Sequence, residues 1–135
     1  MNEFTDEHAH RLLNVAKACE ETPYSEMFDM NRYAHCRGTP ACALGNYAAR
    51  VDLQSNFRFT ESYGEFKLVD NVSTFDGLFV MVSNTSICAH FGITNDEEMC
   101  LFEVRGCGDA QTPQEAADYI RKFVKAKLQA RDAQL

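Results

Sequence analysis

The stretch His35-Cys36-Arg37-Gly38-Thr39-Pro40-Ala41-Cys42-Ala43-Leu44-Gly45 combines turn residues, a helix start and two thiols. Its glycine permits backbone angles that other residues resist, its threonine is a good N-cap, and its proline suits a first helical position. These residues predict a turn followed by a helix from Ala41 to Arg50. With Thr39 as the cap, Cys42 lies in the first turn, where unpaired N–H groups and the positive end of the helix dipole favour a thiolate.

This stretch also supplies the candidate ligand-binding residues, which are Arg37, Gly38, Thr39 and Cys42. A helix N-terminus beside an arginine is a favourable place for an anion. The alternative is that Cys42 only packs, because free cysteine behaves as a small hydrophobe and is often buried. The residues alone leave both interpretations open.

Two further interpretations use the cysteines chemically. In an enzyme, Cys36 or Cys42 would be the nucleophile and His35 or His90 the base. In a metal site, Cys36, Cys42, Cys88 and His90 could supply four ligands, although Cys-x5-Cys is not the spacing of the short zinc knuckles. No phosphate loop or dinucleotide fingerprint is present, so no cofactor is expected.

Length and charge limit the class of protein. A chain of 135 residues with 45% hydrophobic content is the size of one ordinary domain, so we expect a single compact domain over 1–135. The formal net charge is −7 and the pI is near 5.0. A nucleic acid is therefore not an expected partner, because binding to phosphates needs a basic face.

The beginning of the sequence, Met1 to Glu7, is acidic and does not resemble a secretory signal. No apolar run is long enough to span a bilayer, so we expect no membrane partner and a cytoplasmic location. In that compartment the 6 cysteines should be mostly reduced.

N-cap residues and apolar residues at helical spacing predict about five helices. They are Asp6–Glu20 after Thr5, Ala41–Arg50, Thr85–Phe91 closed by Gly92, a helix capped by Thr94 and Glu97, and a final helix beginning after Thr112. A short helical turn is expected between Ser25 and Asn31. The side chains predicted to face inward from these shorter segments are Met27, Phe28, Met30, Met99, Leu101 and Phe102.

Strand patterns occupy the middle of the chain. Phe57–Thr60 alternates, Phe66–Val69 is strand-like, and the apolar run Leu78–Val82 favours a third, buried strand. These segments predict a small antiparallel hairpin or a three-stranded sheet. The fold class is therefore α+β and predominantly helical.

Two separated signatures resemble a family of small, mostly uncharacterised proteins encoded by bacteriophages and prophages. The family's first signature is Cys-Gly-Thr-x-Ala-Cys-x-x-Gly, and this chain has Gly38-Thr39-Pro40-Ala41-Cys42-Ala43-Leu44-Gly45, with Arg37 as an extra residue before it. The family's second signature is a helix start Phe-Gly-(Leu/Ile)-(Ser/Thr), followed by Leu-Phe and by a helix that begins Thr-Pro-x-x-Ala-Ala. This chain has Phe91-Gly92-Ile93-Thr94, then Leu101-Phe102, then Thr112-Pro113-Gln114-Glu115-Ala116-Ala117. Together the two signatures span most of the chain in the family's order.

The resemblance implies a phage protein that works in the host cytoplasm. Our first functional hypothesis is an accessory, host-takeover or inhibitor protein that binds a host protein or a small ligand without catalysis. A homo-oligomer is an open alternative to a monomer. The second hypothesis is a cysteine-dependent enzyme or a metal-binding protein that uses the region from Cys36 to Cys42.

Overall fold

The computed structural model of this protein describes residues 4–31, 40–53, 57–62, 65–75, 78–81, 84–103 and 105–133. Within these ranges the helices are α1 (Asp6–Glu20), α2 (Ala43–Ala48), α3 (Asn84–Phe91), α4 (Asn95–Phe102), α5 (Gly106–Asp109) and α6 (Pro113–Asp132). Strands β1 (Phe57–Ser62), β2 (Glu65–Phe75) and β3 (Leu78–Met81) lie between α2 and α3. Short 3-10 helices cover Ser25–Met27 and Val51–Leu53. The predicted α+β, predominantly helical class is confirmed.

The two long helices, α1 and α6, pack along each other. Each helix buries one apolar stripe: α1 buries Leu12 and Val15, and α6 buries Ile120 and Val124. The ends of the pair are joined by Arg131, whose Nη1 donates to the Phe4 carbonyl at 3.1 Å and to Asp6 Oδ1 at 2.8 Å. This pairing forms the side of the core against which the shorter helices pack.

The N-terminus of α1 is closed by a capping box. His8 N donates to Thr5 Oγ1, and Thr5 N donates to His8 Nδ1, both at 3.1 Å. Two of the N–H groups that a helix start leaves unpaired are thereby satisfied. The predicted bounds Asp6–Glu20 and the Thr5 cap are confirmed.

Helix α2 begins later than predicted, at Ala43, and its N-cap is Cys42 rather than Thr39. The reason is that the Ala41 carbonyl accepts a hydrogen bond from Asp29 N at 3.0 Å, so this residue is bonded to another segment before the helix starts. Cys42 Sγ takes the capping role by accepting from Gly45 N at 3.4 Å. Gly38 and Thr39, the predicted turn and cap, lie outside the described residues.

The strands form an antiparallel sheet in the order β1-β2-β3. Phe57 pairs with Asp70 at one end of the first hairpin and Ser62 pairs with Glu65 at the other. The pairing of β2 with β3 is irregular between Asp70 and Thr74. Of the two predicted alternatives, the three-stranded sheet is the one observed.

The end of α3 is shaped by Gly92, which has a φ of 64°. Ile93 N donates back to the Cys88 carbonyl at 3.0 Å, a bond that satisfies a carbonyl of the last helical turn. A Cβ on Gly92 would overlap the imidazole of His8, so α3 and α1 approach closely here. The prediction that Gly92 closes this helix is confirmed.

The predicted capping box of α4 is also confirmed, since Glu97 N donates to Thr94 Oγ1 at 3.1 Å and Thr94 N donates to Glu97 Oε1 at 2.9 Å. Leu101 is buried as predicted, but Met99 is 56% exposed. The inward positions of this helix are Glu98, Leu101 and Phe102, spaced three and four residues apart. Met27 likewise is exposed, while Met30 is buried.

The segment from Arg105 to Asp109, which includes α5, has a partly left-handed backbone. Arg105, Cys107 and Asp109 have φ angles of 65°, 55° and 62°. The buried Cys107 thiol donates to the Leu101 carbonyl at 3.2 Å and links this turn to α4. None of the helices in the described part of the chain is long and apolar enough to cross a membrane.

Candidate functional site

A polar stripe on α1 forms one wall of a cleft of about 470 Å³. The stripe recurs at steps of three and four residues, so its members share one side of the helix, away from the apolar stripe that packs inward. The opposite walls come from α2, α3 and the 3-10 helix after α2. We call this cavity the α1 cleft; its lining residues are Glu7, His10, Arg11, Asn14, Lys17, Tyr47, Asp52, Leu53 and His90.

Two buried polar side chains meet in the α1 cleft. The Tyr47 hydroxyl on α2 and His90 Nε2 on α3 are 2.8 Å apart and share a hydrogen bond. The imidazole lies among aromatic rings, with centroid distances of 4.7 Å to Phe91 and 5.0 Å to Phe57. Arg11 Nη1 donates to the His90 carbonyl at 2.8 Å. These contacts hold α3 against α1 and fix the ring where the cleft reaches the core.

Burial raises the pKa of Tyr47 to about 12, although the nearby positive charge of Arg11 acts in the opposite direction. The phenol therefore stays protonated at neutral pH and is able to donate its hydrogen to an unprotonated His90 Nε2. A neutral hydroxyl beside an imidazole is a suitable partner for polar groups of a ligand, because each can donate or accept.

The two acidic side chains that line the α1 cleft are both held by arginines. Glu7 Oε1 accepts from Arg11 Nη2 at 2.7 Å. Asp52 receives two hydrogen bonds from Arg50, at 2.7 Å from Nε and 2.6 Å from Nη2, and Arg50 also donates to Glu21 at 3.0 Å. These bonds keep the pKa of Asp52 below its ordinary value. The negative charge of the lining is thus largely compensated within the protein.

The remaining polar members of the α1 stripe have unused hydrogen-bonding groups. In the ranges that the structure describes, the side chains of His10, Asn14 and Lys17 make no hydrogen bond or ion pair. Asn14 is half-buried, whereas His10 and Lys17 are exposed at the cleft mouth. All three carry or can carry N–H donors, so the lining has more spare donors than spare acceptors.

The structure places Cys42, the described member of the sequence-predicted ligand site, in the core rather than in the α1 cleft. Burial raises the pKa of its thiol to about 11, and this effect exceeds the opposing hydrogen bond from Gly45. The expected shift toward a thiolate is therefore wrong. Arg37, Gly38 and Thr39 lie outside the described residues.

Only some of the residues predicted to act in cysteine catalysis or metal binding are among the described residues. Cys36 and His35 lie outside the described residues, and His90 Nε2 shares a hydrogen bond with the Tyr47 hydroxyl. Cys88 is half-buried and bonded through Sγ to Asn95 Oδ1 at 3.4 Å. Among the described residues, no group of three or more histidine, cysteine, aspartate or glutamate side chains is arranged to hold a metal ion.

A second unusual polar group lies on α4, apart from the α1 cleft. The side chain of Glu98 is fully buried, and neither carboxylate oxygen has a hydrogen-bond partner in the described structure. Burial raises the pKa of this carboxyl from an ordinary 4.5 to about 7, and the negative charge of Glu103 adds to the effect. A buried acceptor without a partner is costly, so this group weakens the fold when it is ionised.

Sequence reasoning missed the α1 stripe and Tyr47. A polar stripe at helical spacing is also what a solvated helix face shows. Comparison with protein-family models, curated proteins and solved structures gave no match. The site is therefore interpreted from the geometry and chemistry of its own residues.

Proposed function

We propose that this protein is a non-catalytic binding protein and that its α1 cleft takes a small polar ligand. The observation that carries the proposal is the fixed Tyr47–His90 pair in a cavity of about 470 Å³. Cavities of roughly 300–1,000 Å³ are typical of small-molecule sites. Because most of the lining side chains are polar or charged, a polar ligand fits this cleft better than an apolar one.

We propose further that binding serves an accessory or host-takeover role for a bacteriophage in the host cytoplasm, as the two sequence signatures imply. Between a small ligand and a host protein, the described surface favours the small ligand. Among the residues whose side-chain exposure the structure describes, the large exposed apolar side chains are spread over α1, the segment after it, and α4: they are Leu13, Tyr24, Met27 and Met99. Protein interfaces usually have an apolar core that is more concentrated than this.

The test is an NMR titration of ¹⁵N-labelled protein with pools of neutral, anionic and cationic metabolites. Binding in the α1 cleft should shift the amide signals of Asn14, Tyr47 and Leu53 and leave those in the second half of α6 unchanged. The variant Asn14→Leu places an apolar side chain on the cleft wall and should abolish the response.

The matched control is Gln129→Leu, which makes the same kind of change on an exposed position of α6. This variant should respond as the native protein does. The proposal is wrong if no pool shifts the cleft amides, or if Asn14→Leu and the native protein respond alike.

A further inference from the structure

We infer that the ligand of the α1 cleft is a small anion, carrying a carboxylate or a phosphate group, and that Lys17 is its main anchor. This inference rests on the proposed function and adds the chemical class of the ligand. It follows from which polar groups of the lining already have partners and which do not.

Both carboxylates of the lining are already paired with an arginine. Glu7 is bonded to Arg11, and Asp52 is held by two hydrogen bonds from Arg50. A cationic ligand would have to compete with these guanidinium groups for the same oxygens. The two-bond geometry of Arg50 and Asp52 makes that competition especially unfavourable.

The spare groups of the lining include more donors than acceptors. Lys17 brings a positive charge that makes no close ion pair within the described residues, although it acts at longer range on Asp52 and helps to lower the pKa of that carboxyl. Asn14 and His10 precede it by about one and two helical turns, so their N–H groups lie along the same wall of the cleft. An anion placed against this wall would accept hydrogen bonds, the one from Lys17 charge-assisted, from donors that have no acceptor among the described residues.

The Tyr47–His90 pair complements this wall from the opposite side of the α1 cleft. A ligand with an anionic group at Lys17 and a hydroxyl or second carboxylate further along could reach the phenol. Arg11, which donates to the His90 carbonyl, adds positive charge near the phenol, although Glu7 partly offsets it. The arrangement thus favours small anions that carry a second polar group, such as dicarboxylates and sugar phosphates.

The probes for the test are inorganic phosphate, succinate, the neutral sugar ribose and the cation putrescine, each titrated at constant ionic strength. Phosphate or succinate should shift the cleft amides with saturation, and ribose and putrescine should not. Lys17→Gln should weaken binding of the anion by roughly tenfold or more, the size expected for one charge-assisted hydrogen bond. Lys17→Gln should fold normally, because Lys17 makes no side-chain contact that the fold requires among the described residues.

Lys125→Gln is the matched control, since it removes the same charge from an exposed position of α6 outside the α1 cleft. It should keep native affinity. If both variants lose affinity equally, the effect is one of overall charge and the inference is wrong.

The remaining outcomes separate the inference from the proposed function. If ribose or putrescine shifts the cleft amides and the anions do not, the binding function stands and the anion class is wrong. If none of the probes and none of the metabolite pools acts on the cleft, both are wrong. If anions bind Lys17→Gln as tightly as the native protein, the role of Lys17 is refuted.

Discussion

Replacing Glu98 by glutamine should remove a pH-dependent loss of stability. The carboxyl is buried without a partner, and its pKa in the folded protein is about 7 compared with an ordinary 4.5. Between these values the folded state binds the proton more tightly than the unfolded state. The free energy of unfolding of the native protein should therefore fall as pH rises from about 4.5 to about 7 and level off above that.

The size of the effect follows from the two pKa values. At about 1.4 kcal/mol per pH unit, the difference between 4.5 and about 7 corresponds to roughly 3 kcal/mol when it is fully expressed. Because the surroundings of a buried charge relax and admit some water when it ionises, we expect between about 1 and 3 kcal/mol. This corresponds to roughly 3–10 °C in Tm for a domain of this size.

The assay is urea unfolding of the native protein and Glu98→Gln under reducing conditions at pH 5, 6, 7 and 8. The stability of the variant relative to the native protein should increase by about 1–3 kcal/mol from pH 5 to pH 8. Any constant cost of the buried amide cancels, because only the change with pH is compared. The exposed Glu26 provides the control Glu26→Gln, which should show no such trend. A difference between Glu98→Gln and native protein that stays constant over this range would refute the reasoning.

Substitutions at three further positions test the packing and the caps by urea unfolding at neutral pH. Gly92→Ala should destabilise the fold by at least about 1–2 kcal/mol, because the left-handed backbone disfavours a Cβ that would also overlap His8; a neutral effect would argue against the close approach of α1 and α3. Cys42→Ala should lower the free energy of unfolding by about 1 kcal/mol more than Cys42→Ser does, since serine keeps an acceptor at the N-cap. Equal losses in the two variants would mean that the cap bond contributes nothing to stability. Tyr47→Phe should cost about 1–3 kcal/mol by leaving the buried His90 Nε2 without its hydroxyl partner, and unchanged stability would contradict the importance of that bond.

Local patterns were sufficient to predict the elements that carry their own start and stop residues. The bounds of α1 follow from the Thr5 cap and the apolar stripe beneath it, and α6 follows from Thr112 and Pro113. Gly92 predicted the end of α3 for the same reason. In each case the residues that decide the structure lie within a few positions of it.

The start of α2 could not be predicted in this way. Thr39 and Pro40 have the chemistry of a helix start, but the bond between Asp29 N and the Ala41 carbonyl delays the helix until Ala43. That bond joins residues that are distant in sequence. The inward position of Glu98 could not be predicted either, because charged residues are rarely fully buried.

The α1 cleft could not be predicted from the sequence for a related reason. Its floor depends on Tyr47 and His90, which are 43 positions apart and become neighbours only when α2 and α3 pack together. The stripe on α1 has the ordinary composition of a solvated helix. The sequence predicts His90 as a candidate base, and the structure shows a hydrogen bond between its Nε2 and the phenol of Tyr47.

The contact of Arg131 with Phe4 and Asp6 has a practical consequence for protein engineering. Because residues 4 and 131 lie side by side, peptide segments attached before the first and after the second would leave from the same region of the surface. Proteins with this geometry are well suited to insertion into a loop of a host scaffold and to circular permutation. A short linker across this junction would allow new chain ends to be opened elsewhere while the pair of α1 and α6 is kept.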